Sequence, residues 1–142
     1  MLSAVLEINV IVSGTIVKKS TPHELLTTLR EQQWIMVISP KILGEIQPVM
    51  SRPKISRRYG LTPQDIRDVL HLLETRATVI PGRLKIPPTA RDPDDDHILA
   101  CAVEGHADYV VSGDEDLLSL ERYEGIPIVS PAAFAAILRT IL

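Results

Sequence analysis

The run Asp92-Pro93-Asp94-Asp95-Asp96-His97-Ile98-Leu99-Ala100-Cys101-Ala102, with Tyr109-Val110-Val111-Ser112-Gly113-Asp114 a few residues later, decides the reading of the fold. Asp92 suits a helix N-cap, and Pro93 suits the first helical position because it has no N–H to lose. Ile98, Leu99, Ala102 and Val103 then recur at the spacing of one helical face. Tyr109–Val111 is a short apolar run closed by the Ser112-Gly113 turn, and it reads as a strand buried on both faces. A capped helix followed by a doubly buried strand is the repeating unit of a parallel α/β sheet.

The same grammar extends outward. Thr21-Pro22, Ser39-Pro40, Thr62-Pro63 and Ser130-Pro131 each precede a helix-like pattern. Glu24 and Asp65 stand at the position that would complete capping boxes. Three apolar stripes follow, namely Leu25/Leu26/Leu29, Ile42/Leu43/Ile46/Val49/Met50 and Ile66/Val69/Leu70/Leu73, all at helical spacing. Between them lie strand-like runs at Ser3–Leu6, Trp34–Ile38, Ala77–Ile80, Tyr109–Val111 and Ile126–Val129. The expectation is one α/β domain over residues 1–142, with a mainly parallel sheet of about five strands. Trp34 and the apolar C-terminal helix around Ala132–Leu138 are expected to pack in the core or a subunit interface. In such sheets the functional site lies beyond the carboxyl ends of the strands.

The chain has 142 residues, 45% hydrophobic and 23% charged, with a net charge of −3. That balance argues against a wholly basic nucleic-acid binder, yet suits a carboxylate site whose bound ions offset its charge. The lone Cys101 excludes an internal disulfide and fits a reducing, cytoplasmic setting. The first residues lack the basic start of a secretory leader, and no apolar run is long enough to span a bilayer.

Acids fall at the ends of several elements: Glu7 after the first strand, Asp114 and Asp116 after Tyr109–Val111, Asp94–Asp96 in a helical first turn, and Glu45 within a helix. Each has an ordinary reading, since helix dipoles favour first-turn acids and Asp shapes turns. Geometry singles out Asp95, four residues before Leu99 and seven before Ala102, so it faces the protein body. Glu45 sits at the edge of its stripe. An inward carboxylate must be paired, hydrogen-bonded or bound to metal. Converging carboxylates ionise poorly without a cation, and oxygen-only donors suit Mg²⁺ or Mn²⁺. Motifs for zinc, nucleotide phosphates or a serine nucleophile are absent. His97 and His106, nine residues apart, share no helical face and are given no catalytic role.

The pattern resembles the PIN-domain family over nearly the whole chain. Leu6-Glu7-Ile8-Asn9-Val10-Ile11-Val12-Ser13 is similar to the family's opening motif. Ser39-Pro40-Lys41-Ile42-Leu43-Gly44-Glu45-Ile46 is similar to its second motif. The stretches Asp92–Ala102 and Ala107–Leu118 are similar to its third and fourth. The resemblance, nearest to VapC-type toxins, implies a three-layer α/β/α fold and Mg²⁺- or Mn²⁺-dependent hydrolysis of RNA. It implies catalytic acids Glu7, Glu45, Asp95 and Asp114, metal ligands Glu7, Asp95, Asp114 and Asp116, and support from Asn9 and Ser112. It also implies a cognate antitoxin and a homodimer. Glu7 and Ile8 stand where the family has Asp and commonly Thr. The extra methylene is expected to push the carboxylate past the metal and lower activity. Arg52, Lys54, Arg57 and Arg58 read as an RNA-backbone contact or as a solvated face with local salt bridges. Two other readings are a Mg²⁺-dependent phosphatase and a catalytically degenerate PIN fold that only binds.

Overall fold

In a computed structural model describing residues 1–141, the chain order is β1 (Ser3–Leu6), α1 (Ile8–Ile16), α2 (Thr21–Arg30), β2 (Ile35–Ile38), α3 (Pro40–Ser51), α4 (Pro53–Ser56), α5 (Pro63–Arg76), β3 (Ala77–Val79), α6 (Pro93–Glu104), β4 (Tyr109–Val111), α7 (Glu115–Leu118), β5 (Arg122–Tyr123), β6 (Ile126–Val129) and α8 (Pro131–Ile141). The strands form one sheet in the order β3-β2-β1-β4-β6-β5. All neighbours are parallel except the final β5–β6 pair. The chain winds from β1 outward to β3, then returns past β1 to continue at β4. Right-handed crossovers require those two directions of travel to use opposite faces. The sheet is therefore sandwiched, with α6 packed against β1, β2 and β4 as the return connection. The reversal occurs between β1 and β4, which makes their carboxyl ends the crevice of the sheet.

The caps show why the helices begin where they do. Ser39 accepts from the Ile42 N–H at 3.2 Å, and Thr62 and Asp65 form a reciprocal capping box. Asp92 and Ser130 cap α6 and α8. At α2 the expected arrangement shifts by one residue. Ser20, not Thr21, is the cap, accepting from His23 N–H. Glu24 therefore lies past the capping-box position, and it pairs instead with Arg139 of α8 at 2.7 Å.

Two elements run against local propensity. Helix α1 is built from Ile8-Asn9-Val10-Ile11-Val12, a β-branched run that taken alone favours a strand. Burial of Val10, Ile11 and Val12 overrides that preference. Gly14 lets α2 approach, since a Cβ there would meet the Pro22 carbonyl at 2.8 Å. In the β5–β6 hairpin, β6 matches the strand-like run Ile126–Val129, whereas the two-residue β5 is too short to register as a pattern. The hairpin's turn residues Glu124 and Gly125 both have positive φ, as a tight type I′ connection requires.

The core fills both faces of the sheet. Trp34 is buried between α2 and α8, meeting Phe134 edge-on at 5.3 Å between centroids. Gly105, just past α6, sits so close to β2 that an added Cβ would overlap Val37 Cγ1. Gly105→Ala should therefore cost about 1–3 kcal/mol through overpacking. Urea denaturation would show this as a lower midpoint with an unchanged slope.

Candidate functional site

Each of the three central acids is placed by a different strand or helix end. Glu7 leaves β1 as the N-cap residue of α1. Asp114 follows β4 and caps α7, accepting from the Asp116 N–H at 3.0 Å. Asp95 stands in the first turn of α6 and faces the sheet. Their carboxylate oxygens come within 4.8 Å of one another, with Glu7 and Asp95 buried. The point of convergence is the β1/β4 crevice. A cleft of about 510 Å³ opens onto it, lined among others by Asn9, Glu45, Arg52, Asp92 and His97.

The extra methylene of Glu7 does not carry its carboxylate past this group. Burial of the side chain is matched by a hydrogen bond from Ser112 Oγ–H to Glu7 Oε1 at 2.9 Å. The same hydroxyl oxygen accepts from the Asp114 N–H at 3.0 Å. Ser112 is fully buried and so ties two of the three acids together. Asn9 lines the cleft, whereas the polar contacts to Glu7 come from Ser112 and the Gly113 backbone. Ser112→Ala should weaken Mn²⁺ binding by roughly 10–100-fold, the usual cost of losing a group that orients a ligand. Ser112→Thr, which keeps the hydroxyl, should restore it; calorimetric titration of both variants checks this.

Electrostatics agree with the geometry. Burial, then repulsion from Glu7, Asp92, Asp114 and Asp94, pushes Asp95 up to about 6. Burial likewise raises Glu7, partly offset by the Ser112 hydrogen bond. The N-terminal turns of α1 and α6 favour negative charge at Glu7 and Asp95, but not enough to offset burial and the repulsion among the acids. With Asp114 beside them, these acids form a site that gains by accepting a cation.

The remaining acids divide. Glu45 stands on another wall of the cleft, outside the trio, with Lys41 Nζ at 3.1 Å. Asp116 also lies outside it, and its exposed carboxylate faces Arg91 at 3.5 Å. Asp92, which the sequence marked only as a helix cap, lines the cleft and adds charge to it. Asp96 and Glu104 anchor the loop entering α6. Asp96 accepts from Ala90 N–H at 2.8 Å, and Glu104 accepts from Gly82, Arg83 and Leu84 N–H. Those bonds hold the segment that delivers Asp92 and Asp95. Their signal in sequence was faint, because acids on a solvent-side helical face are the ordinary case. Arg52 reaches the cleft, while Lys54, Arg57 and Arg58 continue along the exposed surface beyond it.

A family profile described as PIN domain matches residues 3–116. The uncharacterized protein MJ1680 of Methanocaldococcus jannaschii is 29% identical over 119 residues, covering 84% of this chain and 75% of that protein. Among solved structures, a chain from VapBC2 of Rickettsia felis, bound to a DNA fragment from their promoter, matches with a TM-score of 0.58 and 16% identity. The match covers 91% of this chain and 98% of that one, and at this identity it is a likeness of fold.

Proposed function

The chain belongs to the PIN-domain family, and from that premise we propose that it is a divalent-metal-dependent endoribonuclease, the toxin of a type II toxin–antitoxin pair. The observation that carries the reading is the convergence of Glu7, Asp95 and Asp114, oxygen donors only, at the mouth of one cleft. This donor set suits Mg²⁺ or Mn²⁺, and the raised Asp95 and Glu7 fit a site completed by such an ion. Bound there, the ion would polarise the scissile phosphate and lower the pKa of the attacking water.

The protein's own groups supply the rest. Glu7, Asp95 and Asp114 would hold the ion; Ser112 orients the Glu7 carboxylate directly and holds the Asp114 backbone beside it. Glu45 faces the same cleft from α3, which supports assigning it the proton of the attacking water. The water oxygen bonds to phosphorus as its proton passes to Glu45, the P–O bond to the leaving ribose oxygen breaks, and that oxygen takes a proton from solvent. No covalent protein intermediate is needed. Arg52, at the rim, would meet the substrate's phosphate backbone.

A cognate antitoxin, a homodimer and a cytoplasmic setting complete the proposal, following the motif resemblance and the fold likeness to VapBC2. Among the described residues, no helix is long and apolar enough to cross a membrane. The test is hydrolysis of a single-stranded RNA, a DNA of the same sequence and a phosphomonoester, each with Mn²⁺ and with excess chelator. The proposal expects RNA cleavage that the chelator stops. Hydrolysis of the phosphomonoester alone would make the chain a phosphatase, and no hydrolysis with Mn²⁺ bound would make it a binding module.

A further inference from the structure

Beside the acidic cleft lies a surface of opposite character. From Ile46 to Gln64 the chain contains no Asp or Glu, yet it carries Arg52, Lys54, Arg57 and Arg58 in a protein of net charge −3. Among the described residues, none of these four cations makes an ion pair; the salt bridges present are Lys41–Glu45, Arg91–Asp116 and Arg139–Glu24. A solvated face knitted by local salt bridges is therefore not what the structure contains.

Helical hydrogen bonding continues past α4, from Arg57 N–H to the Pro53 carbonyl and from Tyr59 N–H to the Ile55 carbonyl. Lys54, Arg57 and Arg58 fall at i, i+3 and i+4 and share one face of that turn. Ile55 packs against the core and anchors it from below. Tyr59, at the far end, is 48% exposed. Arg58 stands over its ring at 5.4 Å from the centroid, so a guanidinium cation and a π-surface stand side by side. The opposite end of the run, Arg52, lines the cleft that holds the acids. At about 1.5 Å per residue, the helical rise puts Tyr59 roughly 10 Å from Arg52 along the axis.

We infer that Arg52 to Tyr59 is a track for single-stranded RNA leading into the carboxylate cleft, with the cations on successive phosphates and Tyr59 stacking one base. The inference deepens the ribonuclease reading and rests on it for the substrate class. Aromatic stacking accepts any base and requires it to be unpaired, so the track selects single-stranded over duplex RNA without reading sequence.

The test separates binding from cleavage by working in excess chelator. Fluorescence anisotropy of a labelled single-stranded RNA is titrated with wild type, Tyr59→Ala, Tyr59→Phe and the double variant Arg57→Gln/Arg58→Gln, at several salt concentrations. Melting temperatures check that these surface variants remain folded. Tyr59→Ala should weaken binding about 10-fold, and Tyr59→Phe should not. The double variant should bind more weakly, with a salt slope shallower by about 1.4, or roughly 0.7 per lost phosphate contact. A duplex of the same sequence should respond little to Tyr59→Ala. Unchanged affinity in Tyr59→Ala and the double variant would overturn the track. Failure of wild type to bind RNA would overturn it too. Binding that follows the predicted pattern in a protein that never cleaves RNA with Mn²⁺ would leave the track standing and sink only the nuclease reading.

Discussion

Metal-free Asp95→Asn is expected to melt at a higher temperature than wild type while losing nearly all RNA cleavage. The folded chain holds the Asp95 proton up to about 6, against an ordinary value of 3.8. Its charge therefore opposes folding. The cost is fully present above pH 6 and disappears as pH falls toward 3.8, because the folded state binds the proton more tightly than the unfolded chain. Asn keeps the shape and removes the charge. A gain of about 1–2 kcal/mol near pH 7.5, or a few degrees in melting temperature, follows from a shift of this size after allowance for residual solvent. Wild type should also become more stable as pH is lowered from 7.5 toward 5, and the variant should lack that component of the rise. Calorimetric melting in chelator at both pH values reads this directly. Activity moves the other way. Loss of a direct ligand should exceed the roughly 10–100-fold cost of losing an orienting group. A variant less stable than wild type at pH 7.5 would contradict the account of Asp95 as a strained carboxylate.

The largest purely structural effect is expected at Trp34. Its indole N–H donates to the Leu25 carbonyl at 3.1 Å and to Thr28 Oγ1 at 3.0 Å, and its ring packs edge-on against Phe134. The residue thus joins α2, the start of β2 and α8 in one contact. Trp34→Ala would remove that apolar volume and leave a cavity, at a cost of about 3–5 kcal/mol. Against the usual stability of a domain of this size, that is a large fraction. Urea unfolding should show the midpoint falling sharply. Trp34→Phe, which keeps most of the volume but not the N–H, should lose much less.

How far these sites were legible in the sequence follows from where each signal lay. Asp95 was readable because a carboxylate at the centre of an apolar helical face contradicts local expectation. Glu7 and Asp114 were readable because each follows a buried strand in an α/β pattern. Their joint position needed the strand order, which places β1 beside β4 despite about a hundred intervening residues. Ser112 carried a weaker signal, since its double hydrogen bond exists only once those two strands pair. Helix α1 was hidden by its β-branched residues, because tertiary burial rather than propensity decides its conformation. The anchoring roles of Asp96 and Glu104 depend on how the loop before α6 folds back, and no periodicity reports that. The Ser20 cap shows the limit at helix ends, where Ser20 and Thr21 are equally good candidates and the backbone chooses between them.

The central claim is that Glu7, Asp95 and Asp114 together bind a divalent cation. Its most direct test is calorimetric titration of chelator-stripped wild type with Mn²⁺, with Asp95→Asn as the paired sample. Saturable binding in wild type that disappears in a folded Asp95→Asn variant is the result the account predicts. No binding in folded wild type, or equal binding in both proteins, would contradict it.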